Sequence, residues 1–268
     1  MAGRVVWVSG ASSGLGRAAA LALKAAGWRV VSGARSFAAE AETDLGRTLP
    51  LDVTDQASVD AFRDRASALY GAPDALVCAA GILTLSPAEE VPFGEMQGVL
   101  DTVLFGSIRM ARAAMPLMRE RGGGKIVMLS SVNGLLATPY QGAYVAAKHA
   151  LEGFSECLML EARAQNIQVT IAEPGDHQGG QAKYRGKASS VQPLYADSFR
   201  RVTGVIARDE AGGGDPAAFG RNLARLLDRR RMPVRKRFAK VQEYFAIVAH
   251  DVLPGRFYSR IFSRYYQV

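Results

Sequence analysis

Tyr144 and Lys148 lie four residues apart in the run Tyr144-Val145-Ala146-Ala147-Lys148, and Ser131 precedes the tyrosine by thirteen residues. On a helix that spacing sets a phenol and an ammonium one turn apart on one face. A cation so placed can make the phenol more acidic. Near the N-terminus runs Ser9-Gly10-Ala11-Ser12-Ser13-Gly14-Leu15-Gly16. A glycine loop of this kind, opening a helix, can hold a diphosphate against free backbone amides. A tunable proton donor beside a diphosphate cradle is the equipment of a hydride-transfer enzyme. Nothing in the pattern calls for a metal.

Such residues need a scaffold that brings distant segments together, and the chain alternates apolar strand-like runs with helical ones. That pattern predicts a Rossmann-type, doubly wound α/β fold: a mostly parallel seven-stranded sheet with helices on both faces. Strands are expected at Val5–Ser9, Arg29–Ser32, Thr48–Leu51, Ala75–Ala79, Lys125–Leu129 and Ile167–Ala172, with a seventh near 232–238. Helices are expected over Leu15–Ala26, 56–70, 94–120, Tyr144–Gln165 and 216–228, with Pro116 placed to kink or end the third. The Gly-, Gln- and Ser-rich stretch 176–215 reads as a long irregular loop or lid over a substrate. The whole of 1–268 reads as one domain, with 240–268 as an amphipathic C-terminal extension.

In motif order the chain resembles the short-chain dehydrogenase/reductase family. The resemblance rests on the glycine loop, Asp52, Ala80-Gly81, Ser131, Tyr144, Lys148 and Pro174-Gly175, and spans residues 3–180 most closely. It implies that Tyr144 is the acid/base, that Ser131 polarises the carbonyl oxygen, and that Lys148 binds the nicotinamide ribose and lowers the tyrosine pKa. It further implies cofactor contacts from Gly10, Ser12, Ser13, Gly14, Leu15, Gly16, Asp52, Val53, Ala80, Gly81, Pro174 and Gly175, with Tyr144 and Lys148 sharing in them. Asp52 would suit a plain helix cap equally well.

The second strand ends in Gly33-Ala34-Arg35, without the acid that would bind a ribose 2′-hydroxyl. Arg35 can pair with a 2′-phosphate, which predicts NADP(H) as cofactor. Three departures from the family pattern stand out. Cys78-Ala79 replaces two asparagines after the fourth strand, and Val103 stands where the family has a catalytic asparagine. Asp176-His177-Gln178-Gly179 follows Pro174-Gly175 without the threonine that clamps the carboxamide, so His177 or Gln178 could contact carboxamide or substrate. Val103 leaves two readings open: a working reductase, or a catalytically weak nucleotide-binding sensor or scaffold.

Composition narrows the class. Hydrophobic residues make up 49% and charged residues 22%, ordinary for a globular protein. No signal-peptide pattern or membrane-length apolar run is seen, and two cysteines, Cys78 and Cys157, read as buried thiols in a reducing cytoplasm. The net charge of +8 is lopsided, because residues 200–268 carry 15 basic and six acidic side chains. Its densest run, Arg229 to Arg237, fits an anionic partner such as a lipid surface or nucleic acid, or else a solvated helix end and loop. No nucleic acid is expected; peripheral membrane contact through the basic C-terminus is left open.

The C-terminal Phe257, Tyr258, Ile261, Phe262, Tyr265 and Tyr266 recur at helical spacing beside Arg256, Arg260 and Arg264. That stripe could lie on a membrane, cap the pocket, form a subunit contact or pack on its own domain. The long loop and aromatic tail predict a bulky apolar carbonyl or alcohol substrate, with steroid-, retinoid- or lipid-like chemistry implied by the resemblance. The family also often forms homodimers or homotetramers.

Overall fold

The structure, a computed structural model, describes residues 3–179, 185–188 and 190–268. Its first strand, β1 (Val5–Ser9), is buried along its whole length. Val5 and Trp7 enter the core on one face of the sheet, and Val6 and Val8 enter the core on the other. This two-sided burial is what a central strand of a doubly wound sheet requires.

The chain continues through α1 (Gly14–Ala25), β2 (Arg29–Ala34), β3 (Ala41–Thr43), β4 (Gly46–Pro50), α2 (Gln56–Tyr70), β5 (Ala75–Cys78) and β6 (Leu83–Leu85). Then come α3 (Phe93–Leu100), a π-helical turn (Asp101–Phe105), α4 (Gly106–Glu120), β7 (Gly124–Leu129), α5 (Gly142–Ala162) and β8 (Ile167–Pro174). The last elements are β9 (Arg185–Lys187), α6 (Pro193–Ala211), α7 (Pro216–Asp228), β10 (Arg235–Phe238), α8 (Val241–Val252) and α9 (Gly255–Tyr266).

The main sheet has the order β10-β8-β7-β5-β1-β2-β4-β3, parallel except for β3. From β1 the chain winds one way through β2 and β4, then returns to β5 and winds the other way. The crevice between β1 and β5 is therefore the topological switch point, where such folds hold ligands. Helices α1 and α7 cover one face through Leu23, Phe219, Leu223 and Leu227. Helices α2, α4 and α5 cover the other through Phe62, Met110, Met118 and Leu151.

Several expectations are corrected. The sheet has eight strands, because Ala41–Thr43 folds back antiparallel on β4. This edge strand is exposed and short, so it carries no apolar alternation to betray it. Stretch 176–215 is not irregular throughout: α6 occupies 19 residues of it, anchored by buried Phe199, Val202, Val205 and Ile206. Those four repeat at helical spacing among charged neighbours, which masks them in a reading by composition. The helix expected over 94–120 is interrupted by the π-helical turn, and Pro116 neither ends nor breaks it. Cys157 is exposed on α5, and only Cys78 is buried.

The basic run also divides. Arg235 reaches Glu152, Glu156 and fully buried Glu173, and Arg237 donates to Glu173 at 2.9 Å. These two arginines neutralise internal carboxylates and are not free for an outside partner. Among the described residues no helix is long and apolar enough to cross a membrane.

Removing one partner of a buried ion pair leaves an uncompensated charge, at a cost of about 3–5 kcal/mol. Arg235→Ala is expected to lower unfolding stability in urea by about that amount. A loss below about 1 kcal/mol would show that Arg237 alone satisfies Glu173.

Candidate active site

A cavity of about 380 Å³ opens at the C-terminal ends of β1, β2, β5, β7 and β8, and every site residue expected from sequence lines it except Asp52 and Gln178. The glycine loop forms its floor. Gly10 has φ of +70°, and a Cβ there would sit 2.6 Å from the Ala80 backbone. A Cβ on Gly16 would lie 2.3 Å from the Gly10 carbonyl oxygen. Only glycines let the loop close this tightly between β1 and β5. Ser13 precedes α1 without a side-chain cap bond, and the first turn holds no acid. The helix thus presents its positive end to the cavity uncompensated, as a diphosphate would need.

Arg35 is exposed at the cavity edge, at the end of β2. Val53 lines the wall, whereas Asp52 turns inward and accepts from Thr54 N and Oγ1 at 2.9 and 2.7 Å. Burial works to raise the Asp52 pKa, but the Thr54 bonds, helped by Arg35 and Arg109, hold it below the ordinary value. The cap of α2 is Asp55, which accepts from Ala57 N. The residues present fit a nicotinamide dinucleotide: tight glycines, an open helix end and a cation beyond them.

On the far wall, α5 carries Tyr144 and Lys148. The Lys148 ammonium is buried and donates to the Leu129 carbonyl at 2.5 Å. Burial brings its pKa down to about 8, opposed by Glu152 one turn along. Burial pushes the Tyr144 phenol up to about 12, against the lowering influence of the neighbouring Ser131 hydroxyl. The acidifying influence expected of Lys148 is not among the causes that set this value; the lowering ones are Ser131 and Arg185. The Lys148 nitrogen lies 5.4 Å from the tyrosine ring centre and is already engaged by Leu129. Ser131 is fixed in turn: it accepts from Asn133 N at 3.1 Å, and Asn133 Nδ2 donates to Gln141 at 2.7 Å.

The departures resolve individually. Cys78 is buried, with its thiol pushed up to about 12 by desolvation, and its Sγ lies 3.8 Å from the Ser107 carbonyl. Packing and this weak contact stand where two asparagines were expected. Val103 is buried in the π-helical turn, which its carbonyl helps hold by accepting from Ser107 Oγ at 2.7 Å. His177 lines the cavity, its Nδ1 2.9 Å from the Gly175 carbonyl and its ring edge-on to Phe219. Gln178 is exposed and donates to the Ala211 carbonyl, so it leaves the site.

Residues 4–188 match the family model described as short chain dehydrogenase. The chain belongs to the short-chain dehydrogenase family. As such it is an oxidoreductase, of a family that binds a nicotinamide cofactor. It is 32% identical to a 3-ketodihydrosphingosine reductase of Bacteroides thetaiotaomicron, over 94% of this chain and 93% of the relative. It is 36% identical to human retinol dehydrogenase 8, over 64% of this chain and 58% of that one. A short-chain dehydrogenase from Streptomyces avermitilis superposes with a TM-score of 0.82 at 32% identity, covering 98% of both chains.

In this short-chain dehydrogenase the structure adds site residues that motif reading passed over. Thr102 lines the cavity from the π-helical turn, one position before Val103. Glu152 lies beneath Lys148 at helical spacing, a signal present in the sequence but shared with any surface pair. Leu83 lines the cavity and belongs to an apolar cluster with Leu85, Phe199, Val202 and Ile206, against which Tyr140, Tyr144 and Tyr266 pack.

Lys148 titrates near 8 when folded, against 10.5 for the free side chain. Between those values the unfolded chain holds a proton that the native chain has lost, so stability rises with pH across that window. Wild type is therefore expected to gain on Lys148→Met by roughly 3 kcal/mol between the two ends, read by urea unfolding. A flat difference would mean that the ammonium is not depressed by burial.

Proposed function

We propose that this protein is an NADP(H)-dependent oxidoreductase that interconverts a carbonyl and a secondary or primary alcohol on a bulky, apolar, lipid-like substrate. The observation that carries the reading is the Ser131–Tyr144 hydroxyl pair. It is set beside buried Lys148, between a dinucleotide cradle on one side and an apolar cluster on the other. A bound nicotinamide supplies or accepts the hydride.

The protein's own groups handle the proton. Tyr144 donates to the carbonyl oxygen in reduction and takes the proton back in oxidation, while Ser131 hydrogen-bonds that oxygen. With its pKa near 12, Tyr144 is a protonated phenol at neutral pH, the form that reduction uses. Positive charge brought by the oxidised cofactor would favour the phenolate that the reverse direction needs. Lys148 holds the ribose side of the cofactor site. Arg35, exposed at the end of β2 where no acid stands to bind a 2′-hydroxyl, would hold the 2′-phosphate.

Apolar Ile82 and Leu83 on the cavity lining, with Leu83 backed by the buried cluster of Leu85, Phe199, Val202 and Ile206, support a lipid-like substrate. The names of the two relatives, a ketodihydrosphingosine reductase and a retinol dehydrogenase, point the same way. A second reading, nucleotide binding with little turnover, is favoured by one observation. Buried Val103 puts an apolar side chain where the family resemblance calls for an asparagine that holds a proton-relay water.

Deuteride transfer from C4-deuterated NADPH to a panel of long-chain and cyclic ketones and aldehydes, read by mass spectrometry, separates the two. Label is expected in the product with wild type and none with Tyr144→Phe, while the NADPH dissociation constant changes less than about threefold. No label from wild type, with NADPH still bound, would favour the binding-only reading and implicate Val103. Arg35→Asp is expected to weaken NADPH roughly tenfold or more relative to NADH, by loss of a charge-assisted contact. Equal NADPH and NADH constants in variant and wild type would remove Arg35 from the site.

A further inference from the structure

Among the described residues fifteen large apolar side chains are exposed, and ten of them fall within 241–268. They are ordered. On α8, Val241, Phe245, Val248 and Val252 follow helical spacing and form one outward stripe, while Ile247 on another side is buried. On α9, Phe257 and Ile261 lie one turn apart and are about half exposed, at 58% and 53%, and Tyr265 one turn further on is exposed along its ring while its hydroxyl donates to Asp209 of α6. Arg256, Arg260 and Arg264 run beside them at the same interval, all exposed and none in an ion pair among the described residues.

The opposite side of α9 faces the protein. Tyr258, Phe262 and Tyr266 stack in series, and Tyr258 lies edge-on to His250 of α8. The Tyr266 hydroxyl lies 3.3 Å from Thr138 Oγ1, and its ring packs into the apolar cluster beside Tyr144. The outer stripe is therefore not a core face left uncovered by chance. The helix already has its core face, and it carries a second apolar strip in addition.

We infer that the exposed face of the α8–α9 pair docks on an anionic phospholipid surface. An apolar strip bordered by a row of cations is the arrangement that inserts at the boundary of acyl chains and headgroups and pairs with lipid phosphates. A second copy of the chain complements it poorly. Residues 241–268 contain only two acids; Glu243 is turned inward onto the Asp176 amide and Asp251 is beside His250. Two such faces together would oppose arginine to arginine. Docking would place the bilayer against the helix whose Tyr266 packs on the apolar cluster beside Tyr144. The docking itself depends on neither turnover nor cofactor preference.

The test is co-sedimentation of the full chain with phosphatidylcholine vesicles, with and without a quarter of phosphatidylglycerol. Binding is expected to the anionic vesicles only. Reversing the row with Arg256→Glu, Arg260→Glu and Arg264→Glu together should weaken it on the order of a hundredfold. Phe257→Ser with Ile261→Ser should also weaken it, with circular dichroism unchanged because both positions are exposed. Trp7 and Trp28 are buried, so the emission of a Phe257→Trp variant reports α9 directly and should shift blue on anionic vesicles. The inference is overturned by absence of binding to either vesicle, or by binding that survives the charge reversal. It is also overturned by self-association in solution that Phe257→Ser with Ile261→Ser abolishes while no vesicle binding occurs, which makes a second copy the occupant.

Discussion

The site hangs from one buried ammonium. Lys148 is withdrawn from water beneath the cavity, and a cation in that position costs several kcal/mol unless neighbours compensate it. The compensation is structural. The Leu129 carbonyl at the end of β7 accepts from it, and Glu152 lies one turn further along α5. Glu152 is tied to Arg235, which also holds Glu173 of β8, and Arg237 holds Glu173 from the edge strand. A chain of alternating charge thus joins α5, β7, β8 and β10 below the cavity. Tyr144, one turn before Lys148, and Ser131, two residues beyond β7, inherit their positions from it.

The cavity so fixed has two unlike sides. Toward β1 and β2 it is glycine, hydroxyl and helix amide, a surface for a charged dinucleotide. Beside Tyr144 it is Ile82 and Leu83, and behind Leu83 lies the buried cluster contributed by α6. A short polar path leads from the C-terminal helix to Ser131. Tyr266 meets Thr138, Thr138 donates to Asn133, and the Asn133 amide donates to Ser131. The C-terminal helix is in this way linked to the loop that orients the serine, so displacing the helix would be felt at the reacting groups.

Two substitutions show how packing takes over from polar support. Cys78 and Val103 occupy positions where the family has asparagines, and both are buried. They meet through Ser107, whose carbonyl approaches the Cys78 sulfur and whose hydroxyl donates to the Val103 carbonyl. The π-helical turn persists without a polar side chain at Val103, and it brings Thr102 to the cavity wall.

The sequence by itself determined the mostly parallel sheet, the positions of its central strands along the chain, and the glycine loop with Ser131, Tyr144 and Lys148. These rest on local signals: apolar alternation, glycines required by sterics, and a fixed helical offset. It did not reveal β3, which is exposed and lacks alternation, or α6, whose apolar repeat is diluted by charge. Nor could it tell that Arg235 and Arg237 turn inward while Arg256, Arg260 and Arg264 turn outward. Charge is visible in sequence, but the partner that neutralises it is not. The protonation of Tyr144 likewise was decided by tertiary structure, because the cation was legible one turn away whereas the burial that raises the phenol comes from segments more than fifty residues apart along the chain.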